Sequence, residues 1–301
     1  MKLAFLFAGQ GAQAKGMGKD IYDNYELAKE IYDKYPSIRD LCFYDKDDVI
    51  NQTQYAQPSM LLTSYVFAKV LEENGIKPEY TCGLSLGEYS ALAFADTWKL
   101  DEALDIISNR GRIMQNALPL GTTKMAAIIG LDREKVLEGV KTKEGICEVA
   151  NYNCPGQIVI TGDNKGVDLA MENMTALGAL KVVELNVSGA FHSSFLLDAS
   201  KELRTVLDKY NPANPKYKMI YNVSGKEENR PLNDLLEEQI HSSVYFEDSI
   251  RYCIANGVDA FVEIGPGKSL SGFVKRVDRK IPCYNVSDLE SLKATLEALS
   301  K

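Results

Sequence analysis

The sequence predicts an α/β fold: a large α/β-hydrolase-like subdomain built on a parallel sheet, with a small ferredoxin-like subdomain inserted into it. Three observations carry that expectation. Short apolar runs alternate with helically periodic segments and tight glycine turns in both outer parts of the chain. One of those turns, GLSLG at 83–87, holds a serine between glycines where an expected strand meets an expected helix. Between about residues 122 and 189 the order becomes strand, helix, two strands, helix, strand, which is the βαββαβ pattern. The expected division is 1–121 with 190–301 for the large subdomain, and 122–189 for the small one.

Each element follows from its own residues. KLAFLFAGQGAQ reads as a short buried strand entering a glycine turn, with a helix over about 16–34 after it. QPSMLLTSYVFAKVLEENG places Leu61, Leu62, Tyr65, Val66 and Val70 on one side of a helix that Gly75 stops. PEYTCGLS gives a strand, LGEYSALAFADTW a helix opening directly after Ser85, and LDEALDIISNRGRIMQNAL another helix. In the insert, KMAAIIG, GICEVANYN, GQIVITG and ALKVVELNV are strands, while DREKVLEGV and NKGVDLAMENMTALG are helices. SSFLLDASKELRTVLDKY then reads as a helix, YKMIYNVSG as a strand, and DLLEEQIHSSVYFEDSIRYCIANG as one or two helices. DAFVEIGPG closes with a strand and turn, and KSLSGFVKRV with a helix.

Composition narrows the function classes. At 301 residues and 45% hydrophobic content the chain can bury a substantial core. A formal charge of −8 with no basic stripe argues against nucleic acid, and any acidic partner must meet a local basic patch. The six cysteines show no C-x-x-C pair, which points to free thiols in a reducing compartment and to no zinc site. The opening MKLAFLFAGQG has an apolar run of only Leu3 to Ala8 before its glycine turn, so a core strand is expected there instead of a signal peptide. No stretch approaches membrane-spanning length, and the expected compartment is cytoplasmic.

Chemistry gathers at Ser85. Flanking glycines allow a strained turn, and the following helix opens at Leu86, whose backbone N–H can stabilise a developing oxyanion. The plain alternative is a serine that merely caps the helix. A serine nucleophile needs a base, and the chain has two histidines. His192, in VSGAFHSSF just before a helix, is favoured over His241, which reads as a helix-terminal residue. No acidic third member is evident from spacing. Gln10, in FAGQGAQ, follows the first strand at the carboxyl edge of the sheet, where backbone N–H groups line a pocket. Arg110 and Arg112 lie near a helix end; such arginines are usually solvated, but a buried one would clamp a carboxylate.

Taken in order, GQGAQAKGMG, YAQPSMLLTS, GLSLGEYSAL, NRGRIMQ, MAAIIGL, NYNCPGQIVITG, GAFHSS and EIGPGKSLSGFVKR resemble the malonyl-CoA:acyl-carrier-protein transacylases, over nearly the whole chain. The resemblance implies malonyl transfer from malonyl-CoA to the phosphopantetheine thiol of acyl carrier protein, in fatty acid biosynthesis and with no cofactor. It makes Ser85 the acylated serine, His192 the catalytic histidine and Arg110 the partner of the malonyl carboxylate. The backbone amides of Gln10 and Leu86 become the oxyanion hole, and the Gln239 carbonyl orients the histidine. Gln57 would line the acyl pocket, and Phe191 resembles the malonyl-selective form of its motif. An acidic carrier protein would find Lys268, Lys275, Arg276, Arg279 and Lys280; a solvated helix face is the competing reading.

Two departures stand out. Leu84 occupies the place of the family's histidine in G-H-S-L-G, so the chain has no polar side chain at that place. Ala8 and Ala12 replace the proline and serine of PGQGSQ. Other functions remain open at this level: a polyketide-type acyltransferase, a serine hydrolase or thioesterase with water as acceptor, and a non-catalytic docking subunit.

Overall fold

The computed structural model describes residues 1–187 and 189–300; Ser188, within VSGAFHSSF, and Lys301 lie outside the described residues. The chain runs β1 (Leu3–Phe7), α1 (Lys19–Asn24), α2 (Glu26–Tyr32), α3 (Pro36–Tyr44), α4 (Thr53–Glu73), β2 (Tyr80–Gly83), α5 (Leu86–Phe94) and α6 (Leu100–Asn116). The inserted segment follows as β3 (Thr123–Ile129), α7 (Arg133–Gly139), β4 (Cys147–Cys154), β5 (Gln157–Asp163), α8 (Asn164–Ala176) and β6 (Lys181–Leu185). The remainder is α9 (Leu197–Leu207), β7 (Lys218–Met219), α10 (Leu232–His241), β8 (Val244–Tyr245), α11 (Phe246–Ala255), β9 (Ala260–Ile264), α12 (Ser269–Val277), β10 (Cys283–Val286) and α13 (Leu289–Leu299).

The first sheet has the order β10-β9-β1-β2-β7, and every pairing in it is parallel. All five residues of β1 are buried, as expected of a strand covered on both faces. Its alternation sorts the core. Leu3, Phe5 and Phe7 join the cluster built with α4, α5 and α6, while Ala4 and Leu6 join Ile250 and Cys253 of α11 with Leu270 and Val274 of α12. Phe94 of α5 lies 5.7 Å, centroid to centroid, from both Phe5 and Phe7. Burying each phenylalanine stabilises the fold by about 1.5–3 kcal/mol.

From β1 the chain steps to β2 on one side and later returns as β9 on the other, so the strand order reverses at β1. A crevice opens at the carboxyl ends of strands at such a point. Register puts Phe7 opposite Gly83 and Ile264, which sets the turns after β1 and β2 side by side.

The second sheet has the order β6-β3-β5-β4-β8. Its first four strands are the expected βαββαβ unit, antiparallel throughout. Helices α7 and α8 cover one face through Val136, Val167, Ala170 and Met174, against Ala126, Ile128, Ile158 and Ile160. A fifth strand, β8, comes from outside residues 122–189 and pairs in parallel with β4. Beside it Tyr245 stacks on Tyr152 at 5.1 Å, and Arg133 of α7 bonds Asp248 of α11 at 2.6 and 3.3 Å.

Several elements differ from the sequence reading. The helix expected over 16–34 is broken at Tyr25, whose extended backbone (φ −126°, ψ 124°) ends α1 and begins α2. Helix α4 starts at Thr53, so Pro58 lies inside it instead of at its first turn. The strand YKMIYNVSG shrinks to Lys218–Met219, and the rest forms a turn closed by a bridge between Tyr221 and Lys226. Of the one or two helices expected in DLLEEQIHSSVYFEDSIRYCIANG two form, α10 and α11, and β8 between them is an addition. Helix α3, strand β10 and helix α13 are additions; α13 is capped by the Asp288 side chain, which accepts from the Ser291 N–H.

Glycine is required where α5 crosses β1. A Cβ on Gly87 would lie 2.1 Å from the Phe7 carbonyl oxygen, and one on Gly83 would lie 2.0 Å from the Gly87 carbonyl carbon. Both contacts are with backbone, which cannot yield cheaply. Gly87→Ala should therefore destabilise the protein by about 1–3 kcal/mol or more, the ordinary cost of overpacking. An unchanged thermal unfolding midpoint would refute that packing.

Candidate active site

Strand β2 ends at Gly83 and α5 begins at Leu86, which leaves Leu84 and Ser85 to make the turn. Ser85 occupies the N-cap position of α5 with φ 55° and ψ −107°, and its side chain makes no capping bond. Its hydroxyl instead meets His192, with Oγ 2.8 Å from Nε2. That decides between nucleophile geometry and a plain cap. Among the described residues five non-glycines have positive φ: three aspartates, Ser85 and His192. Aspartate and histidine are enriched among such residues; a serine held there costs about 1–3 kcal/mol, strain that gathers at reactive sites.

His192 is 4% exposed. Its Nδ1 lies 2.9 Å from the Gln239 carbonyl oxygen. A carbonyl only accepts, so Nδ1 carries the proton and Nε2 faces the serine as an acceptor. Burial, then the neighbouring Arg110 charge, lowers the His192 pKa from 6.5 to about 4. The imidazole is therefore neutral at neutral pH. His241 ends α10 with Nδ1 3.4 Å from the Ser242 hydroxyl, and makes no contact with Ser85.

Arg110 of α6 is fully buried. Nη1 donates to Gln57 Oε1 at 2.9 Å; Nη2 donates to Gln239 Oε1 at 2.9 Å and to Ser85 Oγ at 3.1 Å. The guanidinium also stands over the Tyr89 ring at 4.9 Å. It forms no ion pair among the described residues, and burial lowers its pKa. Arg112 points outward and pairs with Glu202 at 3.1 Å. Sequence placed both arginines at a helix end; the 3.6-residue period turns one inward and the other out.

The crevice in front of Ser85 has a volume of about 890 Å³ and is lined by Gln10, Gln57, Leu86, Phe191 and His192, among others. Leu86 opens α5, so its N–H is one that helix geometry leaves without an intrahelical acceptor. Gln10 is fixed by its side chain, Nε2 donating to Thr53 Oγ1 at 3.2 Å. Leu84 also lines the crevice and packs beside Gly9; a Cβ on Gly9 would lie 2.7 Å from the Leu84 carbonyl oxygen. An apolar contact thus stands where the family's histidine would be.

Lys268, Lys275, Arg276, Arg279 and Lys280 are all exposed, from the residue preceding α12 through the turn after it. Among the described residues none of the five forms an ion pair. None lines the crevice; Lys275, Arg279 and Lys280 border a separate groove of about 380 Å³.

Sequence reasoning missed Glu88, Tyr89 and Asn222. Glu88 carried a signal, being a lone acid in the apolar helix LGEYSALAF. Burial pushes its carboxyl up to about 8. Asn222 had none, because it comes from a turn far along the chain. No cluster of three or more His, Cys, Asp or Glu placed to hold a metal occurs among the described residues, nor a helix long and apolar enough to cross a membrane.

Known proteins share this arrangement of chain. Residues 4–281 match the acyl transferase domain family. The malonyl CoA-acyl carrier protein transacylase of Bacillus subtilis (strain 168) is 40% identical, over all of this chain and 98% of its own. The crystal structure of the malonyl CoA-acyl carrier protein transacylase from Clostridium perfringens ATCC 13124 superposes with a TM-score of 0.97 at 38% identity, covering 100% of this chain and 98% of that one. A type II PKS acyl-carrier protein in complex with its malonyl-transacylase matches with a TM-score of 0.95 at 30% identity, over 99% of this chain and 100% of that one. With Ser85 and His192 in contact on the crevice wall and the Arg110 guanidinium buried behind them against Ser85 Oγ, the chain is an acyltransferase belonging to the acyl transferase domain family, alongside the malonyl CoA-acyl carrier protein transacylases.

Proposed function

We propose that the protein transfers malonyl from malonyl-CoA to the phosphopantetheine thiol of acyl carrier protein, through a malonyl-serine intermediate, in cytoplasmic fatty acid biosynthesis. The observation that carries this reading is the triangle at Ser85 Oγ, 2.8 Å from His192 Nε2 and 3.1 Å from a buried guanidinium. His192 Nε2 takes the hydroxyl proton as Ser85 Oγ attacks the thioester carbon. The oxyanion is held by the N–H groups of Gln10 and Leu86, each worth roughly a hundredfold or more in rate. The carbon–sulfur bond breaks, and His192 returns the proton to the departing CoA thiolate. The carrier thiol then gives its proton to His192 and attacks the ester, and Ser85 leaves with that proton restored. The Gln239 carbonyl accepts from Nδ1–H throughout and stabilises the transient imidazolium. These steps use only side chains and amides of the chain itself, with no cofactor.

Arg110 supports malonyl as the acyl group, since a free carboxylate would pair with an otherwise uncompensated buried cation. Reaching it requires exchange of a present partner, and Gln57 lies on the crevice wall. Phe191, 7% exposed on that wall, would crowd a bulkier branch. The unpaired cations of α12 supply the local basic patch that an acidic carrier protein needs on a chain of charge −8.

Mixed with malonyl-CoA, the protein should gain one malonyl group on Ser85 by mass spectrometry, and steady release of free malonate without a thiol acceptor would favour a hydrolase instead. Arg110→Ala should lower malonyl transfer sharply and acetyl transfer much less; equal losses would remove Arg110 from acyl selection. The acid limb of Ser85 acylation should fall near pH 4, well below an ordinary histidine, because protonation of His192 abolishes the base. Removing the Arg110 charge leaves burial in place, so in Arg110→Met the limb should move up and stay below 6.5. A limb that does not move would exclude coupling between the two. Charge reversal at Lys275 and Arg276 should raise KM for carrier protein and leave KM for malonyl-CoA alone. If neither constant responds, the patch is a solvated helix face.

A further inference from the structure

Asn222 sits fully buried in the turn after β7 and binds the nucleophile's turn from behind. Its Oδ1 accepts from the Ser85 backbone N–H at 2.8 Å, and its Nδ2 donates to the Gly83 carbonyl at 2.7 Å. A backbone N–H only donates and a carbonyl only accepts, so these partners fix the orientation of the amide without ambiguity. Ser85, with φ 55°, is thereby pinned on the N–H of its own residue and on the carbonyl two residues earlier. Asn222 is itself fixed. Its backbone N–H donates to Glu88 Oε2 at 2.6 Å, which ties the turn to the first turn of α5.

The same amide reaches the base. Gln239 Nε2 donates to the Ser85 carbonyl at 3.0 Å and lies 3.4 Å from Asn222 Oδ1. The Gln239 backbone carbonyl is the acceptor that orients His192. One side chain therefore ties the turn that carries the hydroxyl to the residue that aims the imidazole.

We infer that Asn222 is a positioning residue, holding Ser85 in its strained positive-φ conformation and setting the hydroxyl against His192. This rests on Ser85 being the acylated residue. Asn222 touches no substrate in this role, so its loss should slow acylation without weakening binding. A misplacement of about 1 Å costs on the order of a hundredfold in rate.

The test follows malonylation of Ser85 at saturating malonyl-CoA by rapid quench and mass spectrometry, with KM and the unfolding midpoint measured in parallel. Asn222→Ala should lower the saturating rate about a hundredfold with KM unchanged. Asn222→Asp has the same shape and keeps an oxygen for the Ser85 N–H, but turns a second oxygen toward the Gly83 carbonyl. It should lose about tenfold, the effect of one unsatisfied bond. Labelling of Ser85 by a small sulfonyl fluoride, which needs no malonyl recognition, should fall in the same order. Wild-type rates in a folded Asn222→Ala protein, or a raised KM with an unchanged saturating rate, would overturn the proposal. Failure of both variants to fold would overturn it as well, by making Asn222 a residue of the fold. A native protein that takes no malonyl group would instead sink the reading of Ser85 on which this one stands.

Discussion

A positive charge without a counter-ion organises the site. Taking a guanidinium out of water costs several kcal/mol when no anion compensates it. Arg110 meets that cost with neutral oxygens from Gln57, Gln239 and Ser85 and with the face of Tyr89. Every one of these partners is weaker than a carboxylate. On the proposed reading, a ligand with a free carboxylate would gain more from this cation than one without, a preference built in before any acyl group arrives.

The surrounding groups respond to that charge and to the burial that isolates it. His192 is kept neutral, so the base form is present before substrate binds. Glu88, although within the field of Arg110, is raised to about 8 by desolvation, and its carboxyl oxygen accepts from the Asn222 N–H instead of pairing with the guanidinium. Neutral amides take over the work that a buried acid performs in many serine enzymes. Gln239 orients the histidine through its main chain while its side chain spans Arg110 and the Ser85 carbonyl.

Legibility in the sequence followed the range of the interactions. The turn at Ser85 could be read because its glycines, its strand and its helix are consecutive, and the βαββαβ insert because each strand declares itself by apolar alternation. His192 could be favoured over His241 by its place before a helix. The acid that seemed missing had no letter to find, since the orienting group is a backbone carbonyl. Asn222 was hidden for a related reason: it acts on residues more than a hundred positions away, from a segment that reads as plain strand. The break at Tyr25 is a tertiary effect that helical periodicity does not register. Helix α13, by contrast, was visible in principle, because Asp288 and Ser291 form a reciprocal cap ahead of an amphipathic run.

Strand β8 braces the smaller lobe against the larger one. The insert is joined to the rest not only by its two chain crossings but by the β4–β8 ladder, the Tyr152–Tyr245 stack and the Arg133–Asp248 pair. Swinging the smaller lobe outward would break all three at once. These contacts resist an outward swing of the smaller lobe, and on the proposed reading a slender pantetheine arm would enter a crevice whose two walls are already braced against each other.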